Sequence, residues 1–234
     1  MRLSTIAPSL TALALLGGLL ACGGAYTPPP GPAATATPTA ATSLTYTDPA
    51  TTGWRLVKDV SSTPTHLVLN LVGPTGLKAR GVGFNLSSDG TVKFHKFTDS
   101  DAMKTDNYLK DTGVFQLKFK SSRYSTDLSW MLEPVIFAGG TKNGGKLLTV
   151  GIYQKDRAQS AQSVDTAVLQ IGIDLPATGG PASGSAIPLT LVRARIIPED
   201  IGQMPAVYTD SWSSVLTKFR MEDIQIAVGA LKAQ

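Results

Sequence analysis

Thr65-His66-Leu67-Val68-Leu69-Asn70-Leu71-Val72 places a leucine at every second position through its centre. Successive side chains of an extended strand point to opposite faces. Leu67, Leu69 and Leu71 therefore share one face, and His66 and Asn70 lie on the other. A period of two marks a strand with one face in a core and one toward solvent. The pattern returns at Thr166–Leu175, where Leu169, Ile171 and Ile173 share a face.

Working outward, further runs read as strands: Trp54–Lys58, Arg80–Leu86, Thr91–Phe97, Val114–Phe119, Ser129–Phe137, Lys146–Tyr153, Ile187–Ile197 and Asp223–Leu231. Turn chemistry separates them. Gly73-Pro74-Thr75-Gly76 is one turn, and Asp89-Gly90 reads as a hairpin linking 80–86 to 91–97. A Gly-rich turn holds Asn143-Gly144, and residues 176–186 form a loop. Ala102–Lys110 reads as a short helix ended by Gly113. Trp212, Val215, Leu216 and Phe219 have helical spacing with Asp210 or Ser211 as N-cap, and a strand competes equally there. About eight to ten short strands with few helices argue an all-β antiparallel β-sandwich.

The N-terminus is different. Arg2 precedes an apolar run from Ile6 to Leu20, and Leu19-Leu20-Ala21-Cys22 closes it. The run is shorter than the roughly 20 apolar residues a membrane span needs, so residues 1–21 read as a signal peptide. The Leu-Leu-Ala-Cys pattern resembles the bacterial lipobox. That resemblance implies cleavage before Cys22, thioether lipidation of its sulfur and acylation of its amino group with fatty chains such as palmitate. Each buried CH₂ contributes about 0.8 kcal/mol, so several chains hold where one does not. Gly23 rather than Asp follows Cys22. By the same resemblance this implies a cell-envelope location, at the outer membrane where the organism has one.

From Gly23 to Ser43 the chain is dominated by Pro, Ala, Thr and Gly without apolar period. Such a segment cannot offset its ordering entropy by burial. Residues 22–47 read as a tether and residues 48–234 as the sandwich domain.

Composition bounds the function. The formal charge is +4, with 21 basic and 17 acidic residues. Removing residues 1–21 takes away one cation, Arg2. Charges are dispersed, and the concentrated basic stripe of a nucleic-acid binder is missing. One Cys excludes an internal disulfide framework.

The runs GVGFNLSSDGTVKF (81–94), LLTVGIYQKD (147–156), TAVLQIGIDL (166–175), IPLTLVRARIIP (187–198) and DIQIAVGALK (223–232) resemble cohesin-type modules. These belong with several carbohydrate-binding modules in a superfamily of jelly-roll-type β-sandwiches. The resemblance covers roughly residues 65–232 and rests on strand order and loop placement. It implies a non-catalytic recognition module for protein or polysaccharide, and it transfers no contact residue.

Motifs for chemistry are weak. Gly140 to Lys146 has the GxxxxGK spacing, but Leu147 replaces the required Ser or Thr and begins a strand. Gly81-Val82-Gly83 lacks a third glycine, at Leu86, and a following helix. The only histidines, His66 and His95, read as residues on polar strand faces. No nucleophile elbow supports a Ser–His–Asp set, and two His without carboxylates fall short of a zinc site. Asp99, Asp101 and Asp106 cluster, but an EF-hand loop from Asp99 would put Lys104 and Lys110 where Gly and Glu belong. The cluster reads as a solvated loop, with an irregular calcium site as the alternative.

Among aromatics, Trp54, Trp130, Trp212, Tyr124 and Tyr208 are the ones to weigh as stacking platforms against core residues. Trp130, Trp212 and Tyr208 are the candidate ligand-binding rings. The reading is a membrane-anchored lipoprotein, not an enzyme and without cofactor or resident metal. Its sandwich binds a glycan; the alternative is a protein–protein adaptor for envelope assembly or secretion.

Overall fold

A computed structural model of the chain describes residues 38–97, 108–115, 135–154, 160–199 and 221–234. These residues form strands β1 (Leu44–Thr47), β2 (Arg55–Lys58), β3 (His66–Val72), β4 (Lys78–Ser88), β5 (Lys93–Phe94), β6 (Lys110–Asp111), β7 (Val135–Lys142), β8 (Leu147–Gln154), β9 (Gln162–Ser163), β10 (Ala167–Asp174), β11 (Ala186–Ile187), β12 (Leu189–Pro198), β13 (Glu222–Asp223) and β14 (Ala230–Ala233). The described residues are all-β.

The strands make a five-stranded sheet, β2-β3-β10-β5 with β6 also on β10, and a six-stranded sheet, β13-β12-β4-β8-β7 with β9 also on β4. A small sheet, β1-β14-β11, is separate. Pairings between strands are antiparallel. Among the described residues neither large sheet closes on itself, and both supply one hydrophobic cluster, as in a β-sandwich. Leu67, Leu69 and Leu71 from β3 join Ile171 and Ile173 from β10 there. Val82, Phe84 and Leu86 from β4 join Val150 and Ile152 from β8. Each such side chain, fully buried, contributes roughly 1.5–3 kcal/mol.

The β7–β8 connection shows why the GxxxxGK spacing carries no phosphate loop. Asn143 and Gly144 have φ of 54° and 65°, and the Gly145 N–H donates to the Lys142 carbonyl at 3.1 Å. Two successive positive φ values make the tight turn of a hairpin.

Four expectations need correction. Leu44–Thr47, read as tether, is strand β1, which pairs with β14 and buries Leu44 and Tyr46. The folded part therefore begins before Asp48; Leu44 and Tyr46 alternate with threonines, a strand signal hidden in an Ala/Thr-rich stretch. Asp89-Gly90 makes a turn but no hairpin: the Asp89 carboxylate accepts from the Thr91 N–H and hydroxyl, and β5 crosses to β10 in the other sheet. β4 already has β8 and β12 beside it. The helix read over 102–110 ends instead in β6, whose Lys110 and Asp111 pair with β10; residues 102–107 lie outside the described residues. Finally, Asp223–Leu231 is not one strand. β13 ends at Asp223, Ala227 exchanges backbone hydrogen bonds with Trp54 and Leu56, and the chain then joins β1 as β14.

Tyr46 locks that crossing. Its hydroxyl donates to the Leu56 carbonyl at 3.0 Å and accepts from the Gly229 N–H at 2.7 Å. Burial pushes its pKa up to about 12. A side chain at Gly229 would strike the Thr47 carbonyl, so glycine is required for this approach.

Candidate functional site

The outward face of the five-stranded sheet carries a polar cluster that no single motif announces. His66 of β3 stands opposite Asp174 of β10. His95 follows β5, and its N–H donates to the Gly172 carbonyl at 2.8 Å. One carboxylate joins both rings: His66 Nδ1 lies 2.5 Å from Asp174 Oδ1, and His95 Nδ1 lies 2.7 Å from Oδ2. The ring centroids are 4.4 Å apart at 68°. Phe97 packs edge-on against His95 at 4.9 Å.

Gly172 makes this convergence possible. A Cβ there would sit 2.6 Å from His95 Cβ and 3.1 Å from His66 Cε1. The side chains of His66, His95 and Asp174 remain 28%, 33% and 34% exposed, so solutes reach them. One ligand atom from each lies within 4.8 Å of the others.

Further along the face, Asn70 stands opposite Gln170. The Asn70 amide donates to Asp59 Oδ2 at 2.6 Å, and Gln170 donates to Asn70 Oδ1 at 2.9 Å. The Ser61 hydroxyl and N–H, followed by Asn70, hold the Asp59 carboxyl below its usual range.

The outward face of the six-stranded sheet is built differently. Gly83 of β4 and Gly151 of β8 are cross-strand partners, and Arg195 of β12 lies opposite Gly83. Two adjacent glycines leave bare backbone as the floor of a groove of ≈ 280 Å³. Tyr153, Ile197, Met221, Arg193 and Arg195 are among its lining residues. At its rim Asp223 accepts from Arg195 Nε at 2.7 Å and lies 3.8 Å from Arg193 Nε. Two guanidiniums around one carboxylate leave that rim net positive. The Arg195 hydrogen bond holds the Asp223 carboxyl below its usual range, and desolvation raises the Tyr153 hydroxyl.

The expected site residues divide sharply. His66 does lie on a polar strand face, whereas His95 lies just past the end of β5; the two meet as a joined pair, and Asp174 supplies the carboxylate whose lack argued against a metal site. Trp54 is 6% exposed and belongs to the core, so it is no ligand platform. Cys22, Trp130, Trp212, Tyr208, Tyr124, Asp99, Asp101 and Asp106 lie outside the described residues. Asp174 and Gly172 were missed. Their signal was present, because inward Ile171 and Ile173 force both outward.

No family model matches the chain, and no curated protein matches it. Among solved structures, a cohesin module from a Clostridium perfringens family 33 glycoside hydrolase is similar at 8% identity, with a TM-score of 0.35, over 76% of this chain and 99% of that one. At that distance the functional argument stays with the residues.

Proposed function

We propose that this chain is a lipid-anchored, non-catalytic recognition module of the bacterial envelope, cohesin-like in type, whose groove over Gly83 and Gly151 seats a partner protein. Lipid on Cys22 holds it at the membrane, and the residues before Leu44 set its reach. The groove carries the reading. An apolar floor beside a net-positive rim fits a protein surface that offers an apolar side chain flanked by a carboxylate. A glycan platform needs flat rings with polar groups around them. Trp54 is buried, and of the two aromatics lining the groove Phe84 is buried in the core, which leaves Tyr153 as the half-buried ring among the described residues. These observations favour the adaptor reading over glycan binding.

The test is in-cell photocrosslinking from position 221, with the captured protein identified and its binding repeated in purified form. Arg195→Glu reverses a rim charge, and Gly151→Leu fills the floor. A Cβ at Gly151 would meet neighbours no nearer than 3.6 Å, so the sheet accommodates it. Both variants are expected to lose the adduct. Adducts indifferent to both variants would refute the reading, and a melting temperature raised by cell-wall polysaccharide would restore the glycan reading. Cys22→Ser is expected to leave the membrane fraction; unchanged fractionation would refute the anchor.

A further inference from the structure

We propose that His66, His95 and Asp174 form a binding site for a divalent transition-metal ion of the zinc class. Both histidines of the chain, one on β3 and one just past the end of β5, aim a nitrogen at one carboxylate. Imidazole nitrogen with carboxylate oxygen is the donor set of zinc and its neighbours. Calcium and magnesium take oxygen ligands instead.

Geometry and charge agree with that class. Metal–ligand bonds are about 2.0–2.2 Å, so two ligands of one ion lie at most roughly 4 Å apart. The three donors already lie within 4.8 Å of one another, and the rings are exposed enough to adjust. The ion replaces the two N–H···O contacts: both Nδ1 atoms and one Asp174 oxygen become its ligands, and water fills the remaining position. Each neutral ring then carries its proton on Nε2 in place of Nδ1; a ring that begins as imidazolium releases one proton to solvent. One carboxylate charge partly offsets the dication. Gly172 supplies the space, since a side chain there would push the rings apart.

The test titrates the full mature chain, in detergent, with Zn²⁺ in the presence of excess Mg²⁺. One ion per chain is expected. Asp174→Asn and His95→Gln are each expected to weaken Zn²⁺ by about 100-fold or more, at or beyond the upper end seen when only an outer partner is lost. Asp59→Asn, elsewhere on the same face, is expected to leave affinity unchanged. Because the chain has two histidines, NMR gives a second readout: Co²⁺ is expected to broaden both imidazoles together. Should Asp174→Asn fail to fold, His95→Gln and the Co²⁺ spectrum decide. Absence of saturable Zn²⁺ uptake would overturn the site. So would uptake that survives both site variants, or that disappears instead when Asp99, Asp101 and Asp106 are changed to Asn.

Discussion

The outward faces of the two large sheets share one construction and diverge in use. Both lie behind alternating strands whose inward residues fill the common core. On the five-stranded sheet the outward positions hold His66, Asn70, Gln170 and Asp174, and one glycine, Gly172, lets side chains converge. On the six-stranded sheet Gly83 and Gly151 lie side by side and leave bare backbone. A glycine surrounded by long polar side chains gathers them into a cluster, whereas paired glycines open a groove. The same residue type therefore gathers a polar cluster on one face and opens a groove of ≈ 280 Å³ on the other.

The strongest perturbation should abolish the contrast by removing what both faces rest on. Ile171 points inward between Gln170 and Gly172 and is fully buried. Ile171→Ala is expected to cost about 2–5 kcal/mol in denaturant unfolding and to impair both faces. A cost below 1 kcal/mol would mean the core is not shared as described.

Gly172→Ala should separate the faces. Overpacking against His95 is expected to cost about 1–3 kcal/mol and to weaken Zn²⁺ binding, with groove crosslinking intact. Equal loss on both faces would blur the division.

Tyr46→Phe acts in the small sheet and should spare both faces. Removing the hydroxyl leaves the Leu56 carbonyl and Gly229 N–H without it, at a cost of about 1–3 kcal/mol. The folded pKa is raised from 10.0 to about 12. The parent therefore keeps this contribution in full below pH 10.0 and loses it as pH rises through about 12. The Phe variant should lack that alkaline step, and unfolding curves of both proteins across this range check it.

Asp223→Asn should have the smallest effect. The carboxylate is solvent-exposed, and exposed ion pairs contribute little. Its lowered pKa places the contribution above the unfolded value of 3.8, to be lost on acidification through the folded value. Unfolding midpoints at neutral pH should coincide for parent and variant, while partner binding holds or strengthens as the rim becomes more positive. Weakened binding would show that Asp223 belongs to the recognised surface.

Much of this contrast could be read in the chain. Alternation in 65–72 and 166–175 assigned Leu67, Leu69, Leu71, Leu169, Ile171 and Ile173 to the core and His66 and Asn70 to the other face, but not Val168, which is fully buried beside a register shift in β10. Partner choice was not local: His66 and Asp174 are separated by 108 positions, and nothing in either strand names the other. Asp89-Gly90 carried correct turn chemistry, yet a turn does not fix the sheet its outgoing strand joins. Gly81-Val82-Gly83 begins like a nucleotide motif but lacks its third glycine. That Gly83 floors a groove depends on Gly151 beside it, a pairing made only in three dimensions. β1 is only four residues long and shares its threonines with the stretch before it, so its alternation is a short signal, and tertiary pairing with β14 decided its state.

The most direct measurement of a division of labour between the faces is photocrosslinking in cells with the reactive residue placed in turn at Met221, beside the groove, and at Gln170, on the polar face. One envelope protein should be captured from position 221, retained in Asp174→Asn and lost in Arg195→Glu. Capture of that same protein from position 170 instead, or an adduct at 221 that disregards Arg195→Glu, would contradict it.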